Sequence, residues 1–294
     1  MSRSDQELAA LAASHDIIAI GMAADDVRRA RHGSRTTFLR VSDVPSTNGA
    51  GEASGPALAG EIRIIGTPTA RAAATARVHE VASRANGVPI SAYSLADLEQ
   101  LATREGVTLR SLLEELRAAG LELIAEAPVD QLRDPRRSIE EVNIAGLALA
   151  RLTVFKTPAA DPLPLLKSVN ELQRAVAVIR AFAPLPRRLN PSLPSTGYDD
   201  VKRVALARIV CDNVPSIQVD WSLYGPKLAQ VALTVGADDV DGVSPLDDTS
   251  EGRRRAPLEE IRRNIRAAGF EPVERNGRYD LVDGAMPAGP VSAA

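Results

Sequence analysis

The sequence predicts an α/β fold whose parallel sheet closes into a TIM-like barrel, with helices ahead of the first strand. Three observations carry this reading. Eight short segments, TTFLRV, EIRIIG, VPISAY, LELIAE, LTVFKT, AVIRAF, SIQVDW and DDVDGV, alternate with stretches of helical periodicity. Strands separated by helices of that length need right-handed parallel crossovers, and eight is the barrel number. No G-x-G-x-x-G turn opening a helix follows the first strand, as an open doubly wound sheet would ordinarily show.

Taken in order, SDQELAALAASHDIIAIGMAADDVRRARHG reads as two helices joined near Gly21, with a stop at Gly33. Residues 1–33 therefore form an N-terminal helical segment, and 34–294 a single barrel domain. The stretch Pro45 to Gly60 is rich in Gly, Ser, Ala and Pro without periodicity, and it reads as a flexible surface loop. Strand and helix then alternate. The segment from Ala96 to Ala119 carries one or two helices, a Pro-rich loop precedes the helix YDDVKRVALARIVCDN, and EPVERNGRYDLV forms a short tail after the closing helix.

Hydrophobic residues make up 45% of the 294 and aromatics only 3%, so packing rests on Ala, Leu, Val and Ile. A chain of this length can bury a large core. The formal net charge is −3 with acids and bases interleaved, which gives no footprint for nucleic acid. Arg253, Arg254 and Arg255 read as a solvated loop. No window is long and apolar enough for a membrane span and no signal pattern opens the chain, so a cytoplasmic location is expected. Cys211 is the one cysteine. It cannot form an internal disulfide or by itself hold a cluster, and its apolar-rich helical turn suggests a buried structural thiol.

The stretch DDVKRVALARIVCDNVPSIQVDWSLYGPKLAQVALTVGADDVDGV resembles the aminofutalosine synthases, radical S-adenosylmethionine enzymes of the futalosine route to menaquinone. The matching pieces are the turn Asp212-Asn213-Val214-Pro215, Trp221 at a strand end, the helix with Gly225, Lys227, Ala229, Gln230, Ala232 and Leu233, and the strand from Gly236 to Gly242. ADDVRRARHG, ISAYSLADLEQLATREGVTLRSLLEELRAAGLELI and PVERNGRYDLV extend the likeness more weakly. The resemblance implies a barrel of the radical S-adenosylmethionine type. It also marks departures. The family's loop after the first strand holds three cysteines that bind a [4Fe–4S] cluster, where this chain has PSTNGAGEASGPALAG, too short for both that loop and the first crossover helix. A Gly-Gly segment becomes Gly66-Thr67-Pro68-Thr69, and a Gly-rich turn becomes AEAPVDQL, with Pro128 and Asp130. From this follow the expectations of no [4Fe–4S] cluster, doubtful S-adenosylmethionine binding, a contracted first β/α unit and a non-catalytic paralogue acting as partner or regulator. A barrel enzyme with non-radical chemistry and a binding protein for a nucleoside or adenosyl ligand are the alternatives.

Candidate pocket residues are those at strand ends, where a barrel builds its site: Glu126, Asp130, Lys156 and Trp221, with Gln230 on the following helix. Asp239 and Asp241 join them. In an extended ADDVDGV both point to one face and Asp238 to the other, a geometry that favours a packing or hydrogen-bonding role over a metal site. A missing crossover helix would leave apolar surface on one flank, so a homo-oligomer or a hetero-oligomer with an active homologue is expected.

Overall fold

The computed structural model describes residues 4–47, 58–156, 161–188, 196–246 and 257–282. Two helices come first, α1 (Asp5–Ala13) and α2 (Ile17–His32). Their break lies at residues 14–16 rather than near Gly21, because Asp16 caps α2 by accepting from the amides of Ile18 and Ala19. Gly21 instead sits inside α2, where a side chain would meet Val235 at 2.9 Å.

The barrel strands are β1 (Arg35–Pro45), β2 (Glu61–Ile65), β3 (Ile90–Ser94), β4 (Leu123–Pro128), β5 (Ala148–Leu149) with β6 (Leu152–Val154), β7 (Ala181–Pro186), β8 (Ser216–Asp220) and β9 (Asp239–Val243). All pair in parallel, and β9 returns to β1 to close the ring. The eight expected positions are therefore all filled, the fifth by two short pieces. The expected extent of two strands changes: LTVFKT contracts to β6, and AVIRAF is a strand only from Ala181, since Ala177 ends the preceding helix in a left-handed conformation. The tail holds a further strand, β10 (Glu271–Arg275), which pairs with the first half of β1 below the point where β2 joins it.

Among the described residues eight further helices follow: α3 (Arg71–Ala82), α4 (Leu95–Arg104), α5 (Leu109–Ala118), α6 (Pro135–Ile144), α7 (Leu163–Val176), α8 (Gly197–Val210), α9 (Trp221–Leu233) and α10 (Pro257–Ala267). Amphipathic patterning explains their seating: Leu112, Leu113 and Leu116 of α5 are all fully buried. Among the described residues no α-helix joins β1 to β2, and residues 48–57 of the Pro45–Gly60 loop, like Arg253–Arg255, lie outside them.

The continuous apolar core lies between sheet and helices. Phe38, Val44, Ile62, Ile64, Ile124, Ile217 and Val240 belong to it, and they alternate along their strands with residues that face inward. Among the described residues, the outward apolar side chains of β1 and β2 are covered. Val44, Ile62 and Ile64 are each 3% exposed or less, and Arg77 of α3 donates to the Pro45 carbonyl at 2.9 Å, drawing that helix over the gap.

Candidate functional site at the barrel mouth

A parallel barrel usually fills its interior with branched aliphatic residues. Here the inward positions carry charge. In EIRII, Glu61 and Arg63 alternate with the outward Ile62 and Ile64; in DVDGV, Asp239 and Asp241 flank the outward Val240. A strand whose outer face must meet helices can place such residues only inside.

The inner groups form three tiers. At the closed end Asp239 takes a bidentate pair from Arg275, Nε at 2.7 Å and Nη2 at 2.6 Å, together with Gln218 Nε2 at 2.6 Å and the Thr37 hydroxyl at 2.5 Å. At mid-height Arg63 donates to both oxygens of Asp241 at 3.0 Å and to Glu61 at 2.8 Å, Arg151 pairs with Asp241 from the other side, and Ser91 donates to Glu61 at 2.6 Å. Nearest the mouth Arg187 bridges Asp220 and Glu126, its Nε 3.1 Å from Glu126 Oε2.

Pairing sets the ionisation of these groups. Burial alone would raise the Asp241 carboxyl, but Arg151 and Arg63 outweigh it and hold the group well below the usual carboxylate range. Asp220 is likewise lowered, burial being outweighed by Arg187. Against the loss of solvent that would depress it, Arg63 is raised by Asp241 and Glu61, and Arg275 by Asp239. The result is a charged lattice whose carboxylates resist gaining a proton and whose guanidinium groups resist losing one.

Above it opens a cleft of about 280 Å³, lined by Arg63, Arg151, Arg187, Glu126, Tyr93 and Thr67 among others. Two backbone features shape it. Tyr93 has φ 58°, a left-handed conformation costly for an aromatic residue, and its hydroxyl donates to Ala74 O at 3.3 Å. Burial pushes that phenol up to about 12. Gly66 has φ 102°, and a Cβ there would stand 2.8 Å from the Ser46 hydroxyl, so the turn after β2 requires glycine. Among the described residues, two buried polar atoms of the cleft lining, Arg151 Nε and Glu126 Oε2, have no hydrogen-bond partner, and Thr153 Oγ1 near them has none either.

The residues singled out from the sequence separate into groups. Glu126 lines the cleft, while Asp239 and Asp241 lie beneath it in the lattice. Asp130 is exposed and accepts from the amides of Phe155 at 2.8 Å and Lys156 at 2.9 Å, pinning the loop after β6. Lys156 is exposed. Trp221 begins α9 and packs, half-buried, against the core, and Gln230 lies half-buried farther along that helix, outside the cleft lining. Arg63, Arg151 and Arg187 are not among the residues singled out from the sequence. For Arg63 a signal existed in the charged–apolar alternation of EIRII; Arg151 and Arg187 lie at strand edges, where alternation says nothing.

Asp238 points outward, as the alternation requires. It pairs with Arg208 of α8, accepts from Ile217 N at 2.8 Å and lies 3.3 Å from His32 Nε2, so it ties α2 and α8 to the sheet. Arg28, fully buried, donates to Ala237 O at 3.1 Å and stacks 3.6 Å over Phe270. Among the described residues no cluster of three or more His, Cys, Asp or Glu is arranged to hold a metal ion.

The cluster that the fold implies needs several thiolates at the mouth. Cys211 caps the C-terminal end of α8, at the closed end of the barrel; it is fully buried and its Sγ donates to Leu166 O at 3.3 Å. Burial pushes its thiol well above the usual range, against the pull of Arg208. Cys211 is therefore not placed to serve as a ligand at the barrel mouth.

Comparison with known proteins agrees with the barrel. The CofH/MqnC C-terminal region matches residues 185–287. The chain is 28% identical over 234 residues to the aminodeoxyfutalosine synthase of Streptomyces coelicolor, covering 66% of this chain and 60% of that protein. It is also 28% identical over 228 residues to the 5-amino-6-(D-ribitylamino)uracil–L-tyrosine 4-hydroxyphenyl transferase of Archaeoglobus fulgidus, covering 67% and 66%. The chain thus spans about three fifths to two thirds of the length of these relatives. Among solved structures, methylornithine synthase superimposes with TM-score 0.66 at 13% identity over 92% of this chain and 94% of that one. The hydrogenase maturase HydG from Carboxydothermus hydrogenoformans gives 0.62 at 13% over 92% and 76%. The chain is related to aminodeoxyfutalosine synthase, and its fold is a TIM-like parallel barrel like those of these solved structures.

Proposed function

We propose that this protein is a cluster-less, non-catalytic relative of aminodeoxyfutalosine synthase that acts as a partner or regulator in the futalosine route to menaquinone. One observation carries the reading: the single thiol is buried and hydrogen-bonded at the closed end of the barrel, while the inner arginines that approach the mouth are engaged by the protein's own carboxylates. A side chain already committed to an internal ion pair is a poor acid, base or cluster ligand, because taking it away leaves its partner buried and uncompensated.

Relatedness to the synthase supports the pathway, and no step is assigned to S-adenosylmethionine. Anaerobic reconstitution with iron and sulfide is the first test; the expected outcome is no stable brown [4Fe–4S] absorbance. A stoichiometric cluster formed by this chain alone would overturn the reading. The partner role is tested by affinity capture from the native host, with an enzyme of menaquinone synthesis expected among the retained proteins. Exclusive capture of enzymes from another pathway would overturn the assignment to menaquinone.

A further inference from the structure

The segment after β10 crosses the closed end of the barrel, opposite the mouth, and it is attached there without apolar anchors. Among the described residues none after Phe270 belongs to the apolar core, and Leu281 and Val282 are 49% and 43% exposed. Residues 276–280 instead close on themselves. Asn276 N donates to Asp280 O at 2.9 Å and Tyr279 N to Asn276 O at 3.1 Å, while the Asn276 side-chain oxygen accepts from the amides of Arg278 at 2.9 Å and Asp280 at 3.0 Å. Polar contacts alone hold this loop to the barrel. Gly277 N donates to Gly60 O at 2.9 Å ahead of β2, Arg278 forks onto Glu122 ahead of β4 at 2.7 and 2.8 Å, and the Tyr279 hydroxyl donates to Ala150 O at 2.7 Å between β5 and β6. Arg180 donates to Arg278 O, and Val282 N to Glu274 O at 2.9 Å. Directly inside lies the lowest tier of the lumen, where Arg275 stacks 4.0 Å over the Tyr279 ring while it pairs with Asp239.

We propose that residues 276–282 are a latch on the closed end of the lumen: they open as one unit, with the ring and β10 in place, and admit water to the Arg275–Asp239 pair. This inference does not depend on the partner role. The loop carries its internal hydrogen bonds with it, so opening breaks only the polar contacts to the strand ends and to Glu274. It uncovers almost no apolar area, and segments with few buried apolar contacts open far more readily than the whole molecule unfolds. β10 stays behind, because its ladder with β1 and the Arg40–Glu274 pair at 2.6 Å do not involve the loop. The fork between Arg278 and Glu122 is 42% and 38% exposed at its two ends, so dissolved salt screens it. Ionic strength is therefore what the latch answers to.

The test is hydrogen–deuterium exchange of the full chain, corrected for intrinsic rates. Amides of residues 276–282 should exchange about a hundredfold faster than those of β8 and β9. In about 0.5 M salt the segment should quicken at least twofold further while β8 and β9 do not. Arg278→Ala should accelerate the segment at least fivefold and leave β8 and β9 unchanged. Arg84→Ala, which breaks an exposed pair on α3, should leave the segment as it is. The Nε proton of Arg275, followed by nuclear magnetic resonance, reports on water at the lowest tier and should quicken with the segment in Arg278→Ala. A segment as slow as β8 and β9, one indifferent to salt or to Arg278→Ala, equal acceleration of β8 and β9, or an Arg275 proton that does not follow would each overturn the latch. Circular dichroism checks the fold of the variants; should Arg278→Ala unfold, Glu122→Gln carries the same expectations and the same overturning outcomes.

Discussion

The two faces of the barrel sheet solve the same burial problem in opposite ways. Outward, Phe38, Ile62, Ile217 and Val240 meet the helices in an apolar layer that needs only shape and area. Inward, Glu61, Arg63, Arg151, Asp239, Asp241 and Arg275 fill the lumen with charge, each 5% exposed or less. The apolar layer tolerates imperfection, because a lost methylene costs its transfer energy and a small cavity. A charged lumen is stable only as a complete set, since each member removed strands another in a low-dielectric space. A barrel lumen can thus be filled by ion pairs as well as by leucines.

The comparison can be broken most sharply at Asp241. Asp241→Ala leaves Arg63 and Arg151 facing each other without their shared carboxylate and should cost about 3–5 kcal/mol, read as a lowered denaturant midpoint. A loss under about 1 kcal/mol would show that water enters the lumen and that the lattice is not dry.

Acid should attack the inner face next. The carboxyls of Asp241 and Asp220 titrate lower when folded than when unfolded, so their contribution is present above about pH 4 and is lost as pH falls below it. The expected slope is about 1.4 kcal/mol per pH unit for each such group, weakened in Asp241→Asn, whose amide cannot titrate. His32 gives the outer counterpart. Burial holds its imidazole below the usual value despite Asp238, so its unfavourable protonation sets in as pH falls below about 6.5. His32→Gln should remove that shallower step and leave the acid one.

A smaller effect sharpens the outer side. Ile217→Val, a methylene removed from a fully buried outward position, should cost about 0.5–1.5 kcal/mol by the same denaturant measurement. The smallest belongs to the surface. Arg136→Ala breaks an exposed pair with Glu140 at 2.9 Å and should leave the denaturant midpoint unchanged. If the surface pair rivalled Asp241 in cost, burial would not be what gives the inner lattice its weight.

Much of this was written in the chain. Eight strand segments, their parallel order and the opposed faces of Asp238 and Asp239 followed from periodicity, because side-chain direction alternates along a strand wherever it is placed. That Cys211 would be buried followed from its apolar helical turn. Glu61 and Arg63 could have been placed inside from EIRII alone, since only their isoleucine neighbours suit the helical layer.

Tertiary structure decided the rest. Closure brings Arg63 and Asp241, 178 residues apart, into bidentate contact, and no local pattern encodes a pairing across a ring. The same holds for the tail. EPVERNGRYDLV carries too little periodicity to announce a strand, yet β10 fits beside β1 because Arg275 finds Asp239 inside the barrel and Gly277 N donates to Gly60 O at 2.9 Å. Local sequence fixes which way a side chain faces; which partner it meets there depends on how the ring closes, because ion pairs and sheet edges are completed by whatever segment the fold brings opposite.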